Sequence, residues 1–474
     1  KQMHMKIIMK FGGSVLDESS KLDKIIKICT TFKNIDGIKN DIVCVVSALS
    51  GVTDKILSLT GLIMKGNRDA IKIFVDDMRF VHMNLIEETI TDKALQLEAK
   101  EIVLGIVDEF QDILDGLALI SEITPRSLDH ILSFGERLSA PIVCYSLRNS
   151  NLKSEYYTGK DVGIVTDSNF GEARPLMNTT KLRVTAKILP LLQQGVIPVI
   201  TGFIGTDQHG HITTLGRSGS DYTATIIASC INANEVYLWS DVDGLLTADP
   251  SIVENARVLD EISFTEAAEM VLFGAKYIHP RALEPVMDSN IPLKIRNAFN
   301  LSHPGTTITH DIKTSDNYIK SIIAIRNTAL LDVGGGGMVG SPGTAAVIFD
   351  TLAKNKVNIM MISQGPSESS ISMVLNKDDL GKAIASLELK LLGKLIKHLS
   401  VLEDVSIVTV VGLGMRGIKG IAGKIFTSVA KENVNVIMIA QGSSELNLAF
   451  VVKDEDCDRA VKSLHKEFGL DGVK

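Results

Sequence analysis

Two short stretches of the 474-residue sequence combine residue types and spacing that could do chemistry. In "KFGGSV" (Lys10 to Val15), an apolar run ends at a lysine and is followed by Gly12, Gly13 and Ser14. Glycines let a ligand approach the backbone, Ser14 can cap the next helix, and Lys10 is a point charge suited to phosphate. The turn is therefore either a plain strand-to-helix connection or an anion cradle. It has neither the spacing of a P-loop nor the glycine pattern of a dinucleotide site. In "TTLGRSGSDYTA" (Thr213 to Ala224), Arg217 stands between Gly216 and Gly219, just ahead of an apolar helical stretch. A guanidinium there is a forked donor for a carboxylate. Capping the helix would account for Ser220 or Asp221 but not for Arg217.

Three further stretches carry candidates with a bland alternative each. "VVSALSGVTD" ends a strand in small and hydroxyl residues, so Ser47 and Thr53 either bind a ligand or only shape a turn. "SFGERLSA" sets Glu136 and Arg137 in an apolar helical context. They form a solvated charge pair, or Glu136 faces a pocket and holds a cationic group. "LWSDVDGLLTADP" places Asp241, Asp243 and Asp249 after a strand, where carboxylates either position a nucleotide and its Mg²⁺ or are merely solvated. Lys276 lies just past a helix that closes at Gly274, where a lysine usually complements the helix dipole.

These loops need a scaffold, and the first 300 or so residues supply one. Runs such as "KIIMKF", "DIVCVVSA", "GVIPVITGF" and "EVYLWSD" are apolar on both faces, as covered parallel strands are. Amphipathic segments over 21–32, 95–119 and 179–194 alternate with them. The pattern predicts an open α/β sandwich with ligands at the carboxyl ends of its strands. Pro304 and Gly305 in "LSHPGTTITHD" mark a boundary, so residues 1–305 form one expected domain and 306–320 a linker.

The remainder repeats itself. "GTAAVIFDTLAKNKVNIMMISQGPSESSISMVL" (Gly343 to Leu375) aligns without gaps on "GIAGKIFTSVAKENVNVIMIAQGSSELNLAFVV" (Gly420 to Val452). Each copy reads as a small α+β module, over 321–400 and 401–474, and neither shows an obvious final strand of its own. Asn358 and Gln364 recur as Asn435 and Gln441, polar residues around apolar strands. They are turn residues of a duplicated core or contacts for an effector.

The totals exclude several classes. A net charge of −7 leaves no basic excess for nucleic acid. No apolar run is long enough to span a membrane. Cys29, Cys44, Cys144, Cys230 and Cys457 lack metal-ligand spacing and sit among apolar neighbours, which predicts buried reduced thiols. With no leader-like opening, the expected location is cytoplasmic.

In this order and combination, "KFGGSV", "SALSG-T", "SFGER-SA", "TTLGR-GSDYTA", "SDVDGLLTADP" and "FTEAAEM---GAK-IHP" resemble the signatures of aspartate kinases, in the amino acid kinase superfamily. The tail resembles the pair of ferredoxin-like ACT-type regulatory domains those enzymes carry. The resemblance implies phosphoryl transfer from ATP, with Mg²⁺, to the β-carboxylate of L-aspartate, the first step toward lysine, threonine and methionine. It implies catalytic roles for Lys10, Arg217, Asp221 and Lys276. Substrate binding would fall to Ser47, Thr53, Glu136, Arg217, Ser220 and Asp221, with Glu136 on the α-ammonium. ATP binding would fall to Lys10, Gly12, Gly13, Ser14, Asp241 and Lys276. Leu246 stands where many relatives have an aromatic, Ser251 where many have arginine, and Ser218 where a glycine is common. The "ISQ-SSE" pattern is similar to that of threonine-sensitive members, which implies inhibition by L-threonine and regulatory roles for Asn358, Gln364, Asn435 and Gln441. A homodimer or larger homo-oligomer paired through ACT domains is expected. The rivals are another amino acid kinase, acting on acetylglutamate or glutamate, and a catalytically silent amino-acid sensor.

Overall fold

The computed structural model describes residues 4–35, 37–272, 278–310, 312, 318–365 and 369–472. They group into two units, each built on its own sheet.

The first unit comprises residues up to 245, 260–264 and 277–312. Its strands are β1 (Lys6–Phe11), β4 (Asp41–Val46), β5 (Ser154–Tyr157), β6 (Ile197–Thr201), β9 (Glu235–Ser240), β10 (Glu261–Ser263), β11 (Leu293–Asn297) and β12 (Thr306–Thr309). A two-residue pair, β2 (Asn34–Ile35) and β3 (Ile38–Lys39), and a hairpin, β7 (Ile204–Thr206) and β8 (Ile212–Thr214), stand apart from it. The main sheet has the order β10-β12-β11-β9-β1-β4-β6-β5, parallel throughout except where β11 meets β12. Ile7, Ile8, Met9 and Val43 to Val46 are all buried, so both faces of the central strands are covered, as their continuous apolar runs require. Parallel strands put their carboxyl ends on one edge, which brings the exits of β1, β4, β6 and β9 together. The sheet runs on to Thr309, past residue 305.

The helices Ser19–Lys33 and Lys93–Ile120 contain the first two expected segments, and Met177–Gln193 contains the third except Gln194, which is its C-cap. The helix Gly219–Ile231 is buried at every position but one, so small residues on all sides, not an amphipathic stripe, let it lie inside the core.

The second unit comprises 246–259, 265–276 and 313 onward. Its six-stranded antiparallel sheet has the order β14-β15-β13-β16-β18-β17, from β13 (Ser321–Gly334), β14 (Ile359–Gln364), β15 (Ser370–Asn376), β16 (His398–Val411), β17 (Met438–Ala440) and β18 (Asn447–Lys453). Each repeat contributes helix, strand, turn and strand as its sequence implies. The missing final strands are lent across. The first part of β13, Ser321 to Ile325, pairs with the second repeat's Ile407 to Val411. The early part of β16, His398 to Leu402, pairs with the first repeat's Leu330 to Gly334. The first repeat is thus threaded into the second, and two long strands with a register shift near Arg326 serve both.

Residues 246–259 pack into the second repeat rather than beside a nucleotide loop. Ala248, Ile252 and Val253 share a core with Ile425, Phe450 and Leu464. Thr247 Oγ1 meets His465 Nε2 at 2.9 Å, and Arg257 Nε donates to Leu470 O at 2.9 Å. Leu246 O accepts from Ser321 Oγ at 3.0 Å, and Ser251 turns back onto Asp249. Leu246 and Ser251, the two departures from the family pattern, thus lie in a segment whose apolar side chains join the core of the second repeat.

Candidate active site

Lys10 leaves β1 at the converging strand ends, and its Nζ reaches Asp221 Oδ1 at 2.7 Å with both side chains largely buried. A buried pair of this kind holds each charge in place because losing either partner strands the other. The next turn is tight for a specific reason. A Cβ on Gly13 would lie 2.7 Å from the carbonyl oxygen of Ala48, so the β1 and β4 exits touch backbone to backbone. Gly12 N donates to Trp239 O at 3.1 Å, joining the β9 exit to the same place. Gly13 to Val15 form a 3-10 turn and the helix begins only at Ser19, with Glu18 at its cap position. The expected capping of that helix by Ser14 is thus replaced by a short turn, inside which Ser14 lies.

Glu136 sits in the first turn of the helix Phe134–Asn149 and is buried. Its Oε1 accepts from Ala48 N at 3.2 Å, while Oε2 has no partner among the described residues. Burial pushes its carboxyl up to about 8, against the opposing pull of the Ala48 N–H and the Lys10 charge. An orphaned buried carboxylate oxygen near a lysine is a place prepared for a cation. The bland reading, a solvated pair with Arg137, fails: Arg137 turns away to Glu109 and lies over Phe134.

Ser47 closes the β4 exit, its N–H on Phe11 O at 3.2 Å and its carbonyl accepting from Ser139 Oγ at 2.6 Å. A Cβ on Gly135 would lie 3.8 Å from Thr53 Oγ1 and 2.8 Å from the Ala48 methyl, so Thr53 also borders the Glu136 turn. Ser220 packs on Gly202 at the β6 exit, where an added Cβ would come within 2.4 Å of the serine Cβ. Ser220 and Asp221 lie inside the first turn of their helix rather than at its cap; the cap position is Ser218, at φ 53°. Lys10, Ser47, Thr53, Glu136, Ser220 and Asp221 are therefore brought together. Arg217 stands four positions before Asp221, exposed, with no ion pair among the described residues. Its charge contributes to lowering the pKa of His279, behind the burial of that ring and the charge of Arg281.

Asp241 lies just past β9 and is exposed, its carbonyl accepting from Asn297 Nδ2 at 3.2 Å. Asp243 Oδ1 accepts from both Asn297 Nδ2 and Asn300 Nδ2 at 3.0 Å, which fixes the acidic turn. Lys276 lies outside the described residues.

Sequence reasoning missed Ser139, Asn297, Asn300 and Asp129. Ser139 carried a signal, one helical turn after Glu136. So did Asp129, a lone carboxylate in the apolar run "SLDHILSF". The two asparagines carried none, since nothing local marks a side chain that braces another loop.

In the second unit, Asn358, Gln364, Asn435 and Gln441 are all exposed. A cavity of about 660 Å³ in the second repeat is lined by Gly420, Gln441, Gly442, Ser443 and Glu445 among others. The Glu445 carboxylate is already engaged by Gly417 N at 2.7 Å. The five cysteines are free and buried, as expected. Among the described residues no helix is long and apolar enough to cross a membrane.

Residues 5–297 match the amino acid kinase family, and 331–391 and 408–468 match the ACT domain. The chloroplastic bifunctional aspartokinase/homoserine dehydrogenase 2 of Zea mays is 33% identical over 98% of this chain and 50% of that protein. Chloroplastic aspartokinase 3 of Arabidopsis thaliana is 31% identical over 97% of this chain and 81% of that one. The chain thus spans half the length of the bifunctional relative. The crystal structure of E. coli aspartokinase III in complex with aspartate and ADP (R-state) superimposes with a TM-score of 0.80 at 27% identity, covering 97% of this chain and 99% of that one. Its T-state complex with lysine and aspartate gives the same TM-score.

Proposed function

The chain belongs to the aspartokinase family, and from that premise we propose how its residues transfer the γ-phosphoryl group of ATP to the β-carboxylate of L-aspartate, giving 4-phospho-L-aspartate. The carrying observation is the Lys10–Asp221 pair beside the orphaned Glu136 oxygen at the joined ends of the central strands.

An aspartate side chain, with a pKa near ~3.9, is already an ionised nucleophile at neutral pH, so no general base is needed. What remains is to hold two anions together and offset charge on the moving phosphoryl group. Glu136 takes the α-ammonium, which supplies the counter-charge its burial lacks. Arg217 grips a carboxylate of the amino acid, and Ser47, Thr53 and Ser220 border it. Lys10 swings its charge between Asp221 and the phosphoryl oxygens, and the Gly12–Ser14 turn presents backbone N–H groups to them. Asp241 and Lys276 belong to the nucleotide. Among the described residues no three His, Cys, Asp or Glu side chains gather for a metal ion. Mg²⁺ accompanying the triphosphate would keep most of its waters and would need only one or two carboxylates, for which Asp241 is the candidate.

Trapping with hydroxylamine tests the reaction: ATP, aspartate and hydroxylamine should give aspartyl hydroxamate, which a glutamate or acetylglutamate kinase or a silent sensor would not form from aspartate. L-threonine is the proposed inhibitor, acting by favouring a less competent state. The cavity around Gln441 offers the Gln441 amide, the Ser443 hydroxyl and glycine backbone, groups that suit a small hydroxyl amino acid. Suppression by lysine and not by millimolar threonine would overturn this assignment. Exposed Ile362 on β14 and Ile439 on β17 support pairing with a second copy through the ACT sheet, and the buried thiols support a reducing, cytoplasmic setting.

A further inference from the structure

Arg217 has no ion pair among the described residues, so its place depends on how its backbone turn is held. That backbone begins at Thr214, the last residue of β8, and runs through Leu215 to the left-handed Gly216 (φ 78°) and Ser218 (φ 53°). Two neighbours bound it. Leu215 N donates to Phe203 O at 2.9 Å on one side. On the other lies the loop through Gly171: Ala173 N donates to Thr214 O at 2.9 Å, and a Cβ on Gly216 would sit 3.2 Å from Gly171 O.

Both the strand end and that loop are tied to one side chain. Asp129, near the end of the helix Pro125–Leu132, is 1% exposed. Its Oδ2 accepts from Gly171 N at 2.9 Å and from Thr214 N at 2.8 Å, and its Oδ1 accepts from Thr214 Oγ1 at 2.9 Å. Burying a carboxylate is costly unless its oxygens are satisfied, and here three donors do so. All three come from the two segments that flank the Arg217 turn. None comes from the helix that carries the aspartate. Helix capping therefore does not explain the residue, and a purely local packing role does not require both segments to share one acceptor.

We propose that Asp129 is the positioning residue of the aspartate site, holding the Arg217 turn in register for the substrate carboxylate. The proposal rests on the assignment of Arg217 as that carboxylate's ligand. Asp129 is buried and spends its oxygens on Gly171 and Thr214, so its effect on substrate should run through the Arg217 turn and be selective. Displacing a bidentate donor by an ångström weakens the one substrate it grips and leaves the other alone.

The test is steady-state kinetics on the full chain by hydroxamate formation, with thermal melts alongside. Asp129→Asn keeps the shape but turns an amide toward backbone donors. It should raise KM for aspartate about 10- to 100-fold, while KM for ATP stays within twofold. Thr214→Val removes only the Oγ1 donor and should move KM for aspartate the same way by less, which keeps the test decisive if Asp129→Asn does not fold. The double variant Asp129→Asn with Arg217→Ala should be no worse for aspartate than Arg217→Ala alone, because both act through one contact. A fall in melting temperature with KM for aspartate unchanged in both Asp129→Asn and Thr214→Val would overturn the proposal, as would equal rises in KM for aspartate and ATP. If Arg217→Ala itself leaves KM for aspartate unchanged, the assignment of Arg217 is wrong and the proposal falls with it. If only the Arg217 variant responds, the positioning role alone is wrong.

Discussion

Glu136 makes the sharpest residue-scale prediction, because its free oxygen and its burial act together. With the carboxyl raised to about 8 in the ligand-free fold against an ordinary 4.5, the native state binds the extra proton between those values. Stability should therefore fall as pH rises through that window, and Glu136→Gln should remove that component of the slope in ligand-free melts. Substrate binding has the opposite sign. The ammonium needs the ionised form, so KM for aspartate should fall between pH 7 and 9, and Glu136→Gln should abolish that fall, raising KM most at the alkaline end and little at the acid end. Lys10→Ala should cut kcat by about 10²- to 10³-fold, the loss usual for a donor to the transferring group, as read by hydroxamate formation. Ser218 has a conformational cost: at φ 53° a serine is strained where glycine is not. Ser218→Gly is expected to stabilise by about 1 kcal/mol and raise the melting temperature by a few degrees. A glycine at that position would have a backbone reason, which composition does not reveal. Glu136 and Arg217 are legible in the sequence as polar residues out of place. Asp129 looks the same there, but its partners, Gly171 and Thr214, are far away along the chain, so its task is not legible.

At the scale of elements, strands and helices of the first unit are readable because both-face apolar runs and 3.6-residue periodicity are local signals. Their contacts are not. Gly13 looks like any turn glycine, yet its missing Cβ is what lets the β1 and β4 exits meet. Gly13→Ala should force Lys10 and Ser47 apart, costing about 1–3 kcal/mol in denaturant midpoints and lowering activity disproportionately. The repeats show the complementary failure. Helix, strand, turn and strand are visible in each, but the last strand of each module lies in the other's sequence neighbourhood, and pairing between β13 and β16 leaves no periodic trace. The start of the helix after the cradle is hidden for a like reason: the 3-10 turn Gly13–Val15 serves the strand ends and not the helix.

For the whole molecule, alternation and duplication point to the two architectures, an open α/β sandwich and tandem ACT modules. They do not reveal that residues 246–259 belong with the second. Gln364→Ala and Gln441→Ala should each raise the threonine concentration giving half-inhibition by about tenfold, measured beside the uninhibited rate. A fragment ending at residue 312 would leave Ala248, Ile252 and Val253 without Ile425, Phe450 and Leu464. It should be cut by protease within 246–259 under conditions that spare the full chain there.

The same feature sets a schedule for biosynthesis. Thr247 finds His465, and Arg257 finds Leu470, only after some two hundred further residues have left the ribosome. A polypeptide made from its amino end usually lets early regions settle first. Here a segment just past the acidic turn must wait, uncovered, until the last described helix has been made.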